Sequence, residues 1–114
     1  MSNRIIAATM AGDLAAVKGR FVKLTAGAVV LCTDNLDVAI GVVDHVVPGT
    51  QNVGVALKGA QTEVLVDGTV KRLALGTIDT SNDTTQYDGT ADTQKLCQFL
   101  ADGADGEYVP AIVL

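Results

Sequence analysis

His45 is the sole histidine of the chain, and Asp44 precedes it. A Ser–His–Asp or Cys–His centre would have to be built on that imidazole, with a nucleophile in hydrogen-bond reach. Neighbours along a strand point to opposite faces, so Asp44 and His45 are expected to diverge. No G-x-S-x-G elbow or comparable nucleophile motif is present. His45 therefore reads as an ordinary histidine at a strand end. Cys32 and Cys97 are the only thiols, one in AVVLC and the other in KLCQFL. Two separated cysteines make no metal cluster. Their spacing fits two buried free thiols, and it also fits one disulfide.

Asp79, Ser81 and Asp83 have the i, i+2, i+4 spacing that opens a calcium loop. Thr84 then stands where the turn glycine belongs, and Thr90 where the bidentate glutamate belongs. Asp88, Gly89 and Asp92 could offer further oxygens, but a solvated Asx-turn loop is the simpler outcome. Glu63 and Glu107 are the only glutamates and form no obvious acid–base pair. Twelve glycines are spread through the chain without a phosphate-cradling motif. Two Phe, two Tyr and no Trp leave little for stacking on sugars. No catalytic, cofactor-binding or metal-binding residue is expected, and no small-molecule substrate.

The elements that would position any site are short and β-like. From Asp37 to Leu75, apolar Val-rich runs recur about every 10–14 residues, broken by Gly, Pro, Asn or Asp. Phe21–Thr25, Ala28–Thr33, Val38–Val43, Val53–Leu57 and Glu63–Val66 read as strands. Gly41 inside a strand suggests a bulge or close approach of another backbone. Gly54 and Ala56 imply tight packing on one face. Pro48–Gly49 is a strong turn signal. Asp67–Gly68 is the best hairpin dipeptide, with Thr69–Leu75 expected to pair back. Gly76–Gln94 is polar and reads as a long loop. Tyr108–Leu114 closes the chain as a strand, with Pro110 at an edge or where no donor is needed. Residues 1–18 fit an N-terminal arm or first element, and 19–114 a single β-rich domain. Within the first part, a helix and an extended strand at Arg4–Thr9 fit about equally well. The fold expected is mainly β: a compact barrel or sandwich-like meander with an N-terminal arm and at most one or two short helices.

Composition bounds the rest. A chain of 114 residues is about one domain. Its core must come from Val, Ala, Leu and Ile, which suits pleated sheets but makes a thin core that assembly would help. The formal net charge of −5 opposes a nucleic-acid partner. No run reaches the ~18 apolar residues of a membrane span. The N-terminus, interrupted by Asp13, makes a poor leader, so a mature protein made in the cytoplasm is expected.

The segments VKGRFVKLTAGAVVLC (17–32), AIGVVDHVVPGTQNVGVALKG (39–59), TEVLVDGTV (62–70) and DGADGEYVPAIVL (102–114) follow one another in an order that resembles the capsid decoration, or cement, proteins of tailed bacteriophages. The likeness spans roughly the last five-sixths of the chain. The family's Gly-Asp before an apolar run is met only as Gly12–Asp13–Leu14, and Gly19–Arg20–Phe21–Val22 departs from it. The resemblance implies a structural virion protein on the outer capsid surface. It implies the major capsid protein as partner, commonly a homotrimer, and no catalytic residues. Ser2, Asn3, Arg4, Ile5, Ile6, Ala7, Ala8 and Thr9 are then the candidate capsid-contact arm, since Ile5–Ile6 are apolar without a clear core. The rival reading is a β-rich receptor- or carbohydrate-binding module of a phage fibre or bacterial surface protein, with Gly76–Gln94 as its binding loop.

Overall fold

A computed structural model describes residues 4–34, 37–79, 82–89 and 94–114. Every element in it is a strand: β1 (Ile5–Thr9), β2 (Phe21–Thr25), β3 (Ala28–Leu31), β4 (Gly41–Val46), β5 (Asn52–Leu57), β6 (Gln61–Leu65), β7 (Leu75–Ile78), β8 (Thr84–Gln86), β9 (Cys97–Phe99) and β10 (Tyr108–Val113). They form two five-stranded antiparallel sheets, ordered β1-β5-β4-β2-β3 and β6-β10-β9-β7-β8. The sandwich alternative is thus realised, not the barrel. The first sheet curls until its edges touch at one parallel bridge, Met10 to Val29, but no ladder closes it.

Local chemistry explains the hairpins. Ala26 and Gly27 have φ of 50° and 82°, and Thr25 pairs with Ala28 across them. Positive φ at both central residues marks a tight turn whose twist matches its strands. Pro48–Gly49 lies in the β4–β5 connection, as its chemistry demands. Asp67–Gly68 does not make the expected hairpin. Gly68 N–H donates to the Asp105 carboxylate (3.1 Å) and Asp67 N–H to the Thr84 carbonyl (2.8 Å), which carries the chain away from β6. β6 pairs instead with β10, and Val70 bonds Gly103. The polar stretch expected to be a loop holds the β7–β8 hairpin. Pro110 lies in an interior strand, but its missing donor faces Leu100, just beyond the end of β9.

Small side chains set the packing. One core lies between the sheets, where Phe21, Val42 and Ala56 meet Val64, Ile78, Phe99, Val109 and Ala111. The second lies on the other face of the first sheet, with Val22, Val29, Val43, Val53 and Val55 covered by Met10 and Val17 from the β1–β2 connection. Both Phe are fully buried. A side chain at Gly41 would strike the Ala56 carbonyl, so the expected close approach is real. At Gly54 it would strike the His45 ring, which lies across that glycine.

One polar side chain ties the two layers. Asn82, at the β7–β8 turn, has φ of 66° and is buried. Its Nδ2 donates to the carbonyl of Phe21 (3.1 Å) and to that of Cys32, at the ends of β2 and β3. Left-handed backbone suits Asn better than most residues. Replacing Asn82 by Ala takes this donor from the Cys32 carbonyl, leaves the Phe21 carbonyl with the Cys32 N–H alone, and opens a small void. The expected cost is about 2–4 kcal/mol. Urea denaturation should show a lower midpoint with an unchanged slope.

Candidate interaction surface

The groups expected to matter for chemistry are brought into contact in the wrong order for it. A bulge between Val43 and His45 breaks the strand alternation. Asp44 and His45, expected to diverge, therefore meet, with Nδ1 3.0 Å from Oδ2. The Thr62 hydroxyl donates to the other Asp44 oxygen at 2.9 Å. The carboxylate lies between hydroxyl and imidazole, whereas a triad needs the imidazole in the middle. Burial pushes the Asp44 carboxyl up, but hydrogen bonds from His45 and Thr62 outweigh it and hold the carboxyl below its ordinary value.

Cys32 and Cys97 are both buried and free, which decides between the two readings of their spacing. Burial pushes the Cys32 thiol up to about 11 and that of Cys97 to about 12. Reactivity needs the thiolate. Ellman's reagent at pH 8 should therefore find almost no thiol in the folded protein and two after unfolding.

The β7–β8 turn gathers Asp67, Asp79 and Asp83, with carboxylate oxygens within 4.8 Å of one another. Sequence spacing could not have found Asp67, which comes from the β6 end. Ser81, Thr90 and Asp92 of the calcium-loop comparison lie outside the described residues. Asp79 accepts from Asp83 N–H at 3.0 Å, as an Asx turn would. Arg20 reaches the Asp83 carboxylate at 3.2 Å and the Asn82 carbonyl at 3.1 Å. A hydrogen bond with Asp105, and then the neighbouring carboxylates, push Asp67 up, while the Gly68 N–H holds Asp105 down. The Arg20 ion pair thus relieves part of the crowding, and acidic side chains alone do not define an ion site.

The opposite shift occurs at Asp37. The Thr33 N–H and then Lys23 hold its carboxyl below the ordinary value. Such a group adds stability above the unfolded carboxyl's pKa, and that stability fades as pH falls through the lower folded value. Asp67, shifted up, favours folding at low pH and loses that contribution as pH rises through its raised value. Asp37→Asn is therefore expected to lower the urea midpoint at pH 7 and to converge with the parent in acid. Asp67→Asn should raise the midpoint at pH 7 relative to the parent, an advantage that shrinks in acid. Midpoints measured from pH 3 to 8 test both signs.

What remains is a surface centred on β1. The Leu57 N–H donates to the Arg4 carbonyl and the Met10 N–H to the Gln51 carbonyl, each at 2.7 Å. Antiparallel ladders alternate, so Arg4, Ile6, Ala8 and Met10 turn their backbone groups toward β5. Ile5, Ala7 and Thr9 turn theirs outward. Beside this edge runs a groove of about 570 Å³, lined by Ile6, Ala8, Leu24, Val29, Ile40 and Val47 among others, with no charged residue. Ile6 is 43% exposed and Leu24 62%. Adjoining it, and sharing Ile6, Ala7, Val47 and Asn52 with it, a cavity of about 220 Å³ extends past Ile5, His45 and Gly54. Arg4–Thr9 of the expected contact arm therefore carries a strand in the first sheet, while Ser2 and Asn3 lie outside the described residues. Leu24, Ile40 and Val47 escaped sequence reasoning because only the curl of the sheet brings them beside β1.

No protein-family profile matches this chain, and no curated protein matches it in sequence. A likeness does appear among solved structures. The N base of the head fiber gp8.5 of bacteriophage phi29 superposes with a TM-score of 0.61 at 10% identity, over 99% of this chain and 95% of that one. At that identity the finding concerns the fold: the two chains share one sandwich over nearly their whole length.

Proposed function

We propose that this chain is a structural protein of a tailed-phage virion that binds the outer surface of the assembled head and stabilises it. The single observation carrying the reading is the end-to-end fold likeness to the head fiber base. The resemblance of segments 17–32, 39–59, 62–70 and 102–114 to capsid decoration proteins points the same way. The partner is the major capsid protein, and the working unit is a homotrimer seated where neighbouring capsid subunits meet.

The mechanism follows from linkage. A protein that binds only the mature lattice stabilises that lattice by about 2.7 kcal/mol when its free concentration is 100 times Kd. A trimer engaging several subunits at once gains avidity without any new contact. Neither effect needs a reaction centre. The rival, a receptor- or carbohydrate-binding module, needs a presented loop. The Gly76–Gln94 stretch instead spends its strands on the second sheet and its Asn82 on the first.

Purified protein is to be mixed with expanded empty phage heads and sedimented. Saturable uptake at a fixed number of copies per head, with a raised melting temperature of the heads, is the expected result. Uptake by cells or glycans, with none by heads, would overturn the proposal in favour of the binding module. Light scattering on the free protein and on stripped heads reads the oligomer.

A further inference from the structure

The two sheets have four edge strands, β1, β3, β6 and β8. Three of them are engaged or guarded. At β3 the Val29 carbonyl accepts from Ala11 N–H at 2.9 Å. At β6 the Leu65 N–H donates to Gly19 at 3.0 Å, and Glu63 adds a charge to the strand. At β8 the Thr84 carbonyl accepts from Asp67 N–H at 2.8 Å and Thr84 bridges Val66. Proteins ordinarily blunt an exposed edge with a charge, a proline, a bulge or a covering segment. β1 reads Ile-Ile-Ala-Ala-Thr and pairs with β5 in unbroken register. It has none of these devices, and among the described residues its outer side is met only at its C-terminal end, where Met10 bridges Val29 and the Ala11 N–H donates to the Val29 carbonyl.

We infer that β1 is a receiving edge for an extended segment of another protein, one that is uncharged and apolar at alternate positions. The outward backbone groups of Ile5 and Ala7, ahead of the contact with Val29, would supply the ladder. The two flanking cavities would set the pattern, because side chains of an added strand alternate between faces. One set enters the large groove lined by Ile6, Leu24 and Ile40, which carries no charge to pair with a polar or ionised group. The other set meets the smaller cavity beside Ala7, Gly54 and His45. The lack of charge in the groove is what selects the partner's chemistry: an ionised side chain placed there would be desolvated without compensation.

A second copy fits this edge less well. Two β1 strands would meet over five residues each, well short of the ~1,200 Å² that a stable interface buries. Each copy would also offer the groove face only Ile6 and Ala8. This inference deepens the functional proposal and rests on it only for the claim that the partner strand belongs to the phage head.

The test uses the full chain labelled with nitrogen-15 and a capped seven-residue peptide alternating Thr and Val, with an Asp-for-Val peptide as control. Binding of the Thr/Val peptide should be saturable. It should shift the amides of Ile5 and Ala7 and slow their hydrogen exchange, with little effect on Ile6 and Ala8, already bonded to β5. The Asp peptide should bind at least tenfold more weakly. Ala7→Pro removes an outward donor without breaking a bond to β5, and should weaken binding at least tenfold while leaving the melting temperature nearly unchanged. Leu24→Lys charges the groove from an exposed position and should weaken it similarly. Shifts that are absent, spread over the molecule or indifferent to both variants would overturn the inference. So would concentration-dependent dimerisation abolished by Ala7→Pro, which would assign the edge to a second copy. Peptide binding without uptake by heads would leave the edge assignment standing and remove the capsid as its partner.

Discussion

Val and Ala can fill this core only if backbones come close together. With two Phe as the largest core side chains, each layer reaches little distance across the interior. The structure answers by removing side chains where strands approach: Gly41 lies against the Ala56 carbonyl, and Gly76 against Cys97 and the Phe99 ring. Interiors are close-packed, so a thin core cannot tolerate a gap any better than a thick one. The same constraint explains why the first sheet has two buried faces. One core of this composition would stabilise a chain of 114 residues poorly. Curling the sheet and drawing Met10 and Val17 over its second face creates another.

That curl also produces the surface assigned to binding. Bending the sheet brings the β2–β3 turn toward β1, closes them at Met10 and Val29, and leaves an apolar cleft beyond the contact. Stability and recognition thus share a cause. The tie between sheets is equally economical. Asn82 reaches from the second sheet to two carbonyls of the first, and Arg20 returns from the first to Asp83 and the Asn82 carbonyl. These exchanges cross the sandwich at a polar turn within the stretch whose composition reads as a long loop.

Legibility followed range. Residues within a few positions of one another announced themselves: alternating Val in β5, the Ala26–Gly27 turn and the small residues at Gly41 and Gly54. Long-range pairing did not. Asp67–Gly68 has the chemistry of a hairpin turn, yet the partner of β6 comes from the C-terminal strand, and no local signal carries that information. Polarity misled at Thr77 and Thr84, which are buried in strands although their segment reads as loop. Thr is a good strand residue, and Asp and Asn between such threonines masked the pattern. Asp44 and His45 meet because of a bulge, which one sequence does not reveal. The candidate surface was half legible: Ile5–Ile6 marked the strand, but its groove depends on residues from three other parts of the sheet.

An unguarded strand is ordinarily a hazard, and here the net charge works against association in general. The formal net charge is −5, carried by acidic residues such as Asp67, Asp79, Asp83 and Asp105 at the far turns of the second sheet. Like-charged copies repel at distances up to the Debye length, about 8 Å at physiological salt. That range is short beside the 36 × 29 × 24 Å molecule, so the acidic turns oppose association in general and do not shield the β1 edge itself. A lysine or proline on β1 would protect it more directly, but would also block the ladder that a partner needs. The neutral edge keeps that ladder available, while the net charge serves solubility. Its neutrality also makes the edge selective, since a partner must match an uncharged groove while tolerating an acidic molecule behind it.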